Sequence, residues 1–404
     1  MKAHALVLLV ATGCVAASPD PVAPSTDAPW IDPAQREADL ADLCEVIRAR
    51  YVYAERSVGS WPACEATFTA RIRAADTPIA FLHVLEDVVA TLQDHHAGLS
   101  THGEGSPVPV PTLADLWLET VGSDVVVTSV RPGSSAEDAG VRAGAVVRAI
   151  DGVPVEQFAS DAAMRVAAAG ARGQASRTLT LDADVAMEAF ASPERDGLVS
   201  ARKEGSVGVL RINNALGDGD LVPAFDAALA GLGEVSGLIL DLRDTPSGGN
   251  TDVAEPILGR FVDAEVPYQR LGWKTQTGGV RAPRSMIALI VPRTDRPTYR
   301  GPLVVLVSRW TGSMGEGMAV GLAGAKRATV VGTRMAGLAG AVESHTLPHS
   351  GMSVQFPVGT IHTLDGTPRE SWEPQVLIDM TTASGPDPVF TAGLEALATS
   401  PTLH

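Results

Sequence analysis

The strongest constraint on the fold is a repeated alternation of apolar strands and amphipathic helices in the second half of the 404-residue chain. Apolar runs of strand length are separated by segments whose apolar residues recur with helical spacing. Successive βαβ units of this kind predict a mostly parallel sheet with helices packed on its faces, over about residues 200–390. The predicted strands cover 207–212, 238–243, 303–307 and 329–331, and the predicted helices cover 221–232, 251–262 and 313–325.

One strand-to-helix turn in this region has a serine in a chemically distinctive position. The strand 303–307 leads through Gly312 to Ser313, where the next helix begins. Unpaired N–H groups and the dipole at a helix start stabilise negative charge, such as the charge that forms on a substrate oxygen when a serine attacks it. The segment also has a purely structural interpretation, because Ser313 and Glu316 have the spacing of a capping box. Ser313 is therefore a candidate nucleophile that needs a base from elsewhere in the chain.

The N-terminal part of the chain, residues 37–102, is predicted to be a bundle of helices. Asp32 and Thr77 each precede a proline and can cap the helix that follows, where apolar residues recur at helical spacing. The bundle ends at two adjacent histidines, His95 and His96, just beyond the third helix. Such a pair occurs on polar surfaces as well as in catalytic sites. The sequence has no HExxH motif or matching Cys/His cluster, so no metal site is predicted.

Residues 106–190 are predicted to form a separate domain of short strands. A strand at 125–130 leads into RPGSSAEDAGVRAG at 131–144, and a second strand then precedes the turn at Asp151-Gly152. This order resembles a PDZ domain, with Ala145 where that family usually has aspartate. The resemblance implies that an extended peptide binds along a sheet edge. The alternative is a domain that only packs against its neighbour or gates it.

The first residues predict export from the cytoplasm. Lys2 and the apolar run 5–11 match a signal peptide, and the run is too short to span a bilayer. The sequence ATGC ending at Cys14 resembles a bacterial lipobox, so residues 1–14 are interpreted as signal and lipobox and residues 15–36 as a linker. The chain is expected to be a lipoprotein of the periplasm or outer membrane, anchored only through a lipid on Cys14, or else a secreted protein.

The remaining cysteines and the net charge limit the environment and the partners. Cys44 and Cys64 in an exported chain suggest one disulfide, with two buried free thiols as the alternative. The formal net charge is −16. A nucleic-acid partner is therefore not expected, because it would require clustered Lys and Arg residues.

Three segments of the predicted parallel core, taken together, resemble the C-terminal processing (tail-specific) peptidases of family S41. The resemblance spans about residues 37–380. It implies a multidomain α+β and α/β fold, in which a helical bundle and a PDZ-like β domain precede a βαβ, crotonase-like peptidase core. It also implies hydrolysis of peptide bonds by Ser313. The three segments are LDLR at 240–243 with Gly248-Gly249, TGSMGE at 311–316, and VGT at 331–333 with Gly337.

The resemblance also indicates which base the serine would use. Many S41 peptidases have a lysine where this chain has Leu338, and an aliphatic side chain cannot accept a proton. The tricorn-like branch of the family instead uses a histidine in an L-x-D-x-H-x-x-L segment. Leu92, Asp94, His96 and Leu99 match that segment. The resemblance therefore implies that His96 is the general base, and an imidazole suits this role because its ordinary pKa lies near the working pH.

The other members of the site are likewise implied by the resemblance. A late glutamate in a D-G-x-x-x-E setting, Glu370, would orient His96 or stabilise its charged form, directly or through another group. Glu373 is a rival, because the pattern after Glu370 is shortened. The N–H groups of Gly248 and Met314 would bind the oxyanion. Neither a metal nor an organic cofactor is implied.

These expectations define a function and a rival. The predicted function is that of an exported serine endopeptidase, which hydrolyses peptides or unfolded proteins through an acyl-enzyme with a histidine base. The rival is a non-catalytic peptide- or lipophile-binding protein built on the same fold.

Overall fold

The computed structural model describes residues 31–56, 63–189, 197–277 and 280–399 of the chain. The predicted signal segment 1–14, with Cys14, lies outside the described residues, and so does the linker up to residue 30. None of the helices in the described ranges has the length and apolar character needed to cross a membrane. The fold mixes helices and sheets in several domains, as the sequence predicts.

The described part of the chain begins with three α-helices. Asp32 and Thr77 cap the first and third helices, since each side chain accepts a hydrogen bond from a backbone N–H of the first turn. A disulfide joins Cys44 in the first helix to Cys64 at the start of the second, which confirms the predicted pairing. These elements and the short strand after them are α1 (Pro33–Arg50), α2 (Cys64–Ala74), α3 (Pro78–Ala90) and β1 (Gly98–Leu99).

Two small antiparallel sheets and two α-helices form the PDZ-like unit that follows. The sheets have the orders β2-β3-β4 and β6-β5-β7-β8, and their apolar faces enclose a core of their own with Leu118, Val127, Met164 and Leu179. The elements are β2 (Leu116–Val121), β3 (Asp124–Val130), α4 (Ser135–Asp138), β4 (Val146–Val147), β5 (Ala149–Ile150), β6 (Val153–Pro154), α5 (Asp161–Ala169), β7 (Ser176–Thr180) and β8 (Asp184–Glu188).

The rest of the chain supplies two further sheets. Its elements are β9 (Val199–Glu204), β10 (Val207–Ile212), α6 (Leu221–Gly231), β11 (Gly237–Asp241), α7 (Thr251–Leu258), β12 (Val266–Thr277), β13 (Val280–Ile290), β14 (Leu303–Val307), α8 (Met314–Gly324), β15 (Thr329–Gly332), β16 (Ala341–Thr346), β17 (Ser353–His362), β18 (Val376–Leu377) and α9 (Pro388–Thr399).

The first of these is the predicted parallel sheet. Its order is β18-β15-β14-β11-β10-β9, with all neighbours parallel except the edge strand β9. Successive residues of β11 face opposite sides, so that Leu238 and Leu240 pack with α6, α7 and α8 while Ile239 packs with α9. Since α9 covers this second face, the structural core continues past the predicted limit at residue 390.

The second sheet is antiparallel and was not predicted. Its order is β1-β17-β12-β13, with β16 also paired to β17. Gly98 and Leu99 of β1 lie opposite Gln355 and Val354 of β17. The helices α1–α3 share one apolar core with β17 and with residues next to it such as Leu347 and Met352. The predicted bundle 37–102 therefore packs as one body with strands from the far end of the sequence, and this pairing brings the segment after α3 to the parallel sheet.

Candidate active site

Ser313 lies in the turn between β14 and α8, beyond the carboxyl end of the strand. Its backbone has φ 48° and ψ −110°. A non-glycine residue in such a sparsely populated conformation costs about 1–3 kcal/mol, and it persists only where surrounding contacts enforce it. The Ser313 N–H donates to the Glu316 carboxylate at 2.8 Å, and the serine is 6% exposed. The structure thus holds a strained serine at a helix start.

The imidazole of His96 contacts the hydroxyl of Ser313, 217 residues away in sequence, with 3.1 Å between Nε2 and Oγ. The other ring nitrogen, Nδ1, lies 2.7 Å from the carbonyl oxygen of Ala339. A carbonyl can only accept, so Nδ1 carries the proton and donates it. Nε2 therefore has its lone pair available to the Ser313 hydroxyl. This is the tautomer that a base needs in order to accept a proton from the serine.

The charge state of His96 follows from its surroundings. Burial is the main cause that lowers the pKa of His96, to about 4. The hydrogen bond to the Ala339 carbonyl acts in the opposite direction, and the positive charge of Arg369 lowers the pKa further. At neutral pH the imidazole is consequently uncharged and able to accept a proton.

The residues other than His96 that match the L-x-D-x-H-x-x-L segment hold the loop on which the imidazole lies. Asp94 Oδ1 accepts a hydrogen bond from the His96 N–H at 2.9 Å, and Asp94 Oδ2 accepts one from the Tyr51 hydroxyl at 2.9 Å. Leu92 and Leu99 are buried in the core that the helices share with β17. Two buried leucines and an aspartate thus fix the position of the imidazole between them.

The loop 244–249, which follows β11, packs directly against the serine. Gly248 has φ +65°, and a Cβ atom placed on it would lie 2.4 Å from the Ser313 Cβ. The Gly248 N–H, a predicted oxyanion donor, donates to the Thr245 carbonyl at 3.0 Å. It can bind an oxyanion only if that bond is released. The other predicted donor, the Met314 N–H in the first turn of α8, has no hydrogen-bond acceptor within the described residues.

A buried carboxylate beside the serine was not recognised as part of the site. Glu316 is 0% exposed and accepts hydrogen bonds from the N–H groups of Ser313, Gly337 (2.9 Å) and Leu338 (3.2 Å). The guanidinium of Arg369 lies 4.0 Å away. Burial raises the pKa of Glu316 to about 7, against the opposing effects of Arg369 and the three N–H groups. The sequence marks Glu316 in two ways, by the S-x-x-E spacing of a capping box and by the TGSMGE segment, and neither assigns it a role in the site.

The two late glutamates lie in different surroundings. The carboxylate of Glu373 forms an ion pair with the exposed Arg334. Glu370 is half-buried in the short turn Arg369–Ser371. The direct partner of His96 Nδ1 is the Ala339 carbonyl, so a backbone group occupies the position implied for a carboxylate. A role for Glu370 through another group stays a prediction.

The PDZ-like unit contacts both loops that flank Ser313. Arg131, the residue after β3, donates to the buried Asp244 at 2.7 Å, and Arg211 donates to the other oxygen of the same carboxylate at 3.0 Å. Trp310, in the turn before Ser313, donates its indole N–H to the Ala114 carbonyl at 2.7 Å. The neighbouring unit therefore helps to fix the walls of the site.

The second histidine of the pair also faces the PDZ-like unit. The His95 ring packs edge-on to Trp117 of β2, with 6.2 Å between ring centroids. Burial lowers the pKa of His95 to about 3, with a smaller contribution from the charge of Arg165. His95 is thus an uncharged packing residue between the imidazole loop and the adjacent unit.

The arrangement as a whole suits nucleophilic acyl transfer. It combines a hydroxyl, an uncharged imidazole with its lone pair toward that hydroxyl, and an N–H donor at a helix start. Across the part of the chain that the structure describes, no three His, Cys, Asp or Glu side chains converge in a way that could hold a metal ion.

Comparison with known proteins identifies two of the units. Residues 206–381 match the model of peptidase family S41, and residues 126–176 match the model of the PDZ domain. A search of curated proteins gives no match.

Solved structures with the same fold include several peptidases. Mature CPAF is 16% identical over 91% of this chain and 96% of its own, with a TM-score of 0.58. A putative peptidase from Parabacteroides merdae is 16% identical over 91% and 97%, with a TM-score of 0.56. The photosystem II D1 C-terminal processing protease is 20% identical over 90% and 96%, with a TM-score of 0.54. At identities this low, the structural similarity establishes a common fold and nothing more.

The family match covers β10 to β18, and therefore both the loop 244–249 and the turn that holds Ser313. The chain thus contains a peptidase family S41 domain and a PDZ domain, and the S41 domain indicates a serine-type peptidase.

Proposed function

We propose that the chain hydrolyses peptide bonds through an acyl-enzyme in which Ser313 is the nucleophile and His96 the general base. The observation that carries the proposal is the 3.1 Å contact between His96 Nε2 and Ser313 Oγ, made by a ring whose other nitrogen donates to Ala339. The distance lies within the range of a hydrogen bond between nucleophile and base. Leu338 is buried beside the serine turn at the position where many S41 peptidases have a lysine base, so the base must come from elsewhere in this chain.

The reaction would proceed in two halves. Ser313 Oγ attacks the scissile carbonyl carbon while its proton passes to His96 Nε2, and the imidazolium that forms keeps its Nδ1–H bond to Ala339. The Met314 N–H donates to the developing oxyanion, joined by the Gly248 N–H once its bond to Thr245 is released. Collapse of the tetrahedral intermediate expels the amine, which takes the proton from His96. Water then cleaves the acyl-enzyme with His96 again acting as base.

Glu370 is proposed to stabilise the charged form of His96 through an intervening group. The low pKa of His96, about 4, keeps the ring available but makes it a weak base in the free enzyme. A carboxylate nearby favours the imidazolium. Glu370→Gln is therefore expected to reduce kcat less than loss of His96 does, and an unchanged kcat would remove Glu370 from the site.

The proposed substrate is a peptide or unfolded protein in an extracytoplasmic compartment. The disulfide between Cys44 and Cys64 supports an oxidising environment. The predicted lipobox supports anchoring through Cys14, and secretion without an anchor is the alternative. Incorporation of a palmitate analogue by cells that express the full chain tests the anchor. Loss of that label in Cys14→Ser would support it, and equal labelling of both proteins would contradict it.

Two substitutions test the proposed pair. Ser313→Ala and His96→Ala are each expected to reduce the hydrolysis of casein by about 10⁴-fold or more, the usual loss when one member of a catalytic pair is removed. The melting temperature should change little in Ser313→Ala, because only a hydroxyl is removed. Turnover retained in either folded variant would refute the proposal.

A fluorophosphonate probe separates the peptidase from a binding protein on the same fold. Such probes label only an activated serine, so the wild-type chain should be modified at Ser313 and His96→Ala should not. Ser236→Ala and His349→Ala remove matched side chains away from the site and should be labelled at the wild-type rate. Absence of labelling in the wild-type chain would favour a non-catalytic protein.

A further inference from the structure

A short stretch of backbone, residues 337–340, lies between the serine turn and the imidazole. We call it the orienting segment. Its N–H groups face the carboxylate of Glu316, which accepts from Gly337 at 2.9 Å and from Leu338 at 3.2 Å. One buried side chain therefore fixes the first two residues of the segment.

The carbonyl groups of the orienting segment are held from the other side. The guanidinium of Arg369, which is 3% exposed, donates to the carbonyls of Leu338 at 3.2 Å and Gly340 at 3.4 Å. Between these two carbonyls lies that of Ala339, which accepts the Nδ1–H of His96 at 2.7 Å. The carbonyl that fixes the tautomer of His96 is thus flanked on both sides by bonds to one arginine.

The same glutamate also reaches the serine. Glu316 Oε2 accepts the Ser313 N–H at 2.8 Å, and this bond helps to hold the positive φ of the serine. A single carboxylate thereby connects the backbone that presents the hydroxyl with the backbone that orients the imidazole.

We propose that Glu316 and Arg369 are positioning residues of the Ser313–His96 pair: they clamp the orienting segment from both sides, so that its Ala339 carbonyl takes the place of the carboxylate that orients the base in a catalytic triad. The inference rests on the proposed roles of Ser313 and His96. In this role the side chains of Glu316 and Arg369 position Ser313 and His96 without touching the substrate.

The protonation state of Glu316 gives the inference a distinctive signature. Three N–H donors favour the ionised carboxylate, because protonation removes an acceptor position and places an O–H donor among them. The groups that face the carboxylate are the guanidinium of Arg369 and the three N–H groups, and His96 lies across Ser313 from it. Burial raises the pKa of Glu316 to about 7, whereas that of His96 is lowered to about 4.

The pH dependence of serine labelling distinguishes these two groups in the wild-type protein. If the clamp must be ionised, the rate of inactivation by a fluorophosphonate should fall as the pH drops through about 7. If only the ionisation of His96 matters, the rate should hold until the pH approaches about 4. The second result would overturn the inference, and this measurement needs no variant that must fold.

Glu316→Gln gives a sharper test on the full chain. The amide keeps one acceptor oxygen but presents an NH₂ group to N–H donors, so the orienting segment should shift. A displacement of about 1 Å at reacting groups reduces the rate by about 100-fold, and we expect a loss of this size in kcat with KM changed by less than about threefold. The acid limb of kcat/KM should also move from near 7 toward 4. Arg369→Lys keeps the positive charge, so it should lower kcat while the acid limb of kcat/KM stays near pH 7.

The control is Glu343→Gln, which removes a carboxylate of β16 that is paired with Arg50 outside the site. It should keep the wild-type kcat and pH profile. A folded Glu316→Gln protein with the kcat and acid limb of the wild type would overturn the inference, while inactive Ser313→Ala and His96→Ala proteins would leave the proposed function intact. Activity in Ser313→Ala would instead refute the proposed function itself.

Discussion

Replacing Gly248 by alanine is the most direct test of the packing around the serine. Gly248 has φ +65°, and an added Cβ would lie 2.4 Å from the Cβ of Ser313 and 3.0 Å from its Oγ. The substitution leaves the Gly248 N–H in place. Gly122, in the turn between β2 and β3, has the closely similar φ of +63° but nothing within 4 Å of an added Cβ. The pair of variants therefore separates backbone strain from contact with the serine.

The structure sets the size of the effect. Alanine in the left-handed region costs about 1–2 kcal/mol, which both variants should show. Ordinary van der Waals contact begins at 3.4 Å, so the 2.4 Å contact with Ser313 must lengthen by about 1 Å. Forcing a methyl group into filled space adds about 1–3 kcal/mol. We expect Gly248→Ala to destabilise the fold by about 2–5 kcal/mol and Gly122→Ala by about 1–2 kcal/mol.

Activity should separate the two variants more strongly than stability does. A shift of about 1 Å at the nucleophile reduces the rate by about 100-fold, so Gly248→Ala should label slowly with a fluorophosphonate and hydrolyse casein slowly. Gly122→Ala should react like the wild-type chain. Urea denaturation of both proteins supplies the free energies of unfolding. A Gly248→Ala protein that is folded and labels at the wild-type rate would refute the assignment of Ser313 and its close packing against the loop 244–249.

Three other perturbations have outcomes fixed by the same contacts. The pKa of His96 is lowered from 6.5 in the unfolded chain to about 4 in the folded chain, so between these pH values unfolding takes up a proton. About 3 kcal/mol of the free energy of unfolding should therefore be lost as the pH falls from 6.5 to 4. Burial lowers the pKa of His95 as well, which adds to the loss. Urea denaturation at a series of pH values from 7 to 4 would measure the combined fall in the free energy of unfolding. Arg131→Met removes a charged partner of the buried Asp244 and should destabilise the fold by about 3 kcal/mol and lower kcat. Cys44→Ala opens a disulfide across 20 residues and should lower the free energy of unfolding by about 3 kcal/mol, a loss that reductant should reproduce in the wild-type chain.

The parallel core could be predicted because each of its strands is covered on both faces. Strands such as β11 and β14 are buried along their whole length, so the sequence has continuous apolar runs bounded by turn residues. Neighbouring parallel strands end at the same edge of a sheet. The loop 244–249 and the turn at Ser313 accordingly meet, as the family resemblance implies by assigning Gly248 and Met314 to one oxyanion.

The antiparallel sheet could not be predicted in the same way. Residues of β13 such as Met286 and Ile287 are both exposed although they face opposite sides, so no alternation marks the strand. β1 has only Gly98 and Leu99, too few residues for any pattern. Pairing between β1 and β17 is set by contacts across most of the chain, and such pairing leaves no local signal in one sequence.

The hydrogen-bond partner of His96 Nδ1 could not be predicted from the sequence for a different reason. His96 donates to the carbonyl of Ala339, and a backbone carbonyl is present at every residue, so nothing in the sequence distinguishes it. Glu316 was visible but ambiguous, because S-x-x-E has the same spacing whether the glutamate only caps α8 or also binds the orienting segment. Burial and the second set of hydrogen bonds distinguish these cases, and both depend on the tertiary fold.

The contact between Ser313 and His96 depends on the register of the shortest strand. His96 lies two residues before β1, and a strand advances about 3.3 Å per residue. A slip of one residue would therefore displace the imidazole by as much as the 3.1 Å that now separates it from the hydroxyl. Leu99 opposes such a slip, because its side chain is buried in the shared core and a shift by one residue would turn it to the other face. The N–H of Ser100 adds a bond to the Ser353 carbonyl at 2.9 Å. A buried leucine and a few backbone bonds thus fix the register of β1, which explains how the segment after α3, so distant in sequence, can supply the base.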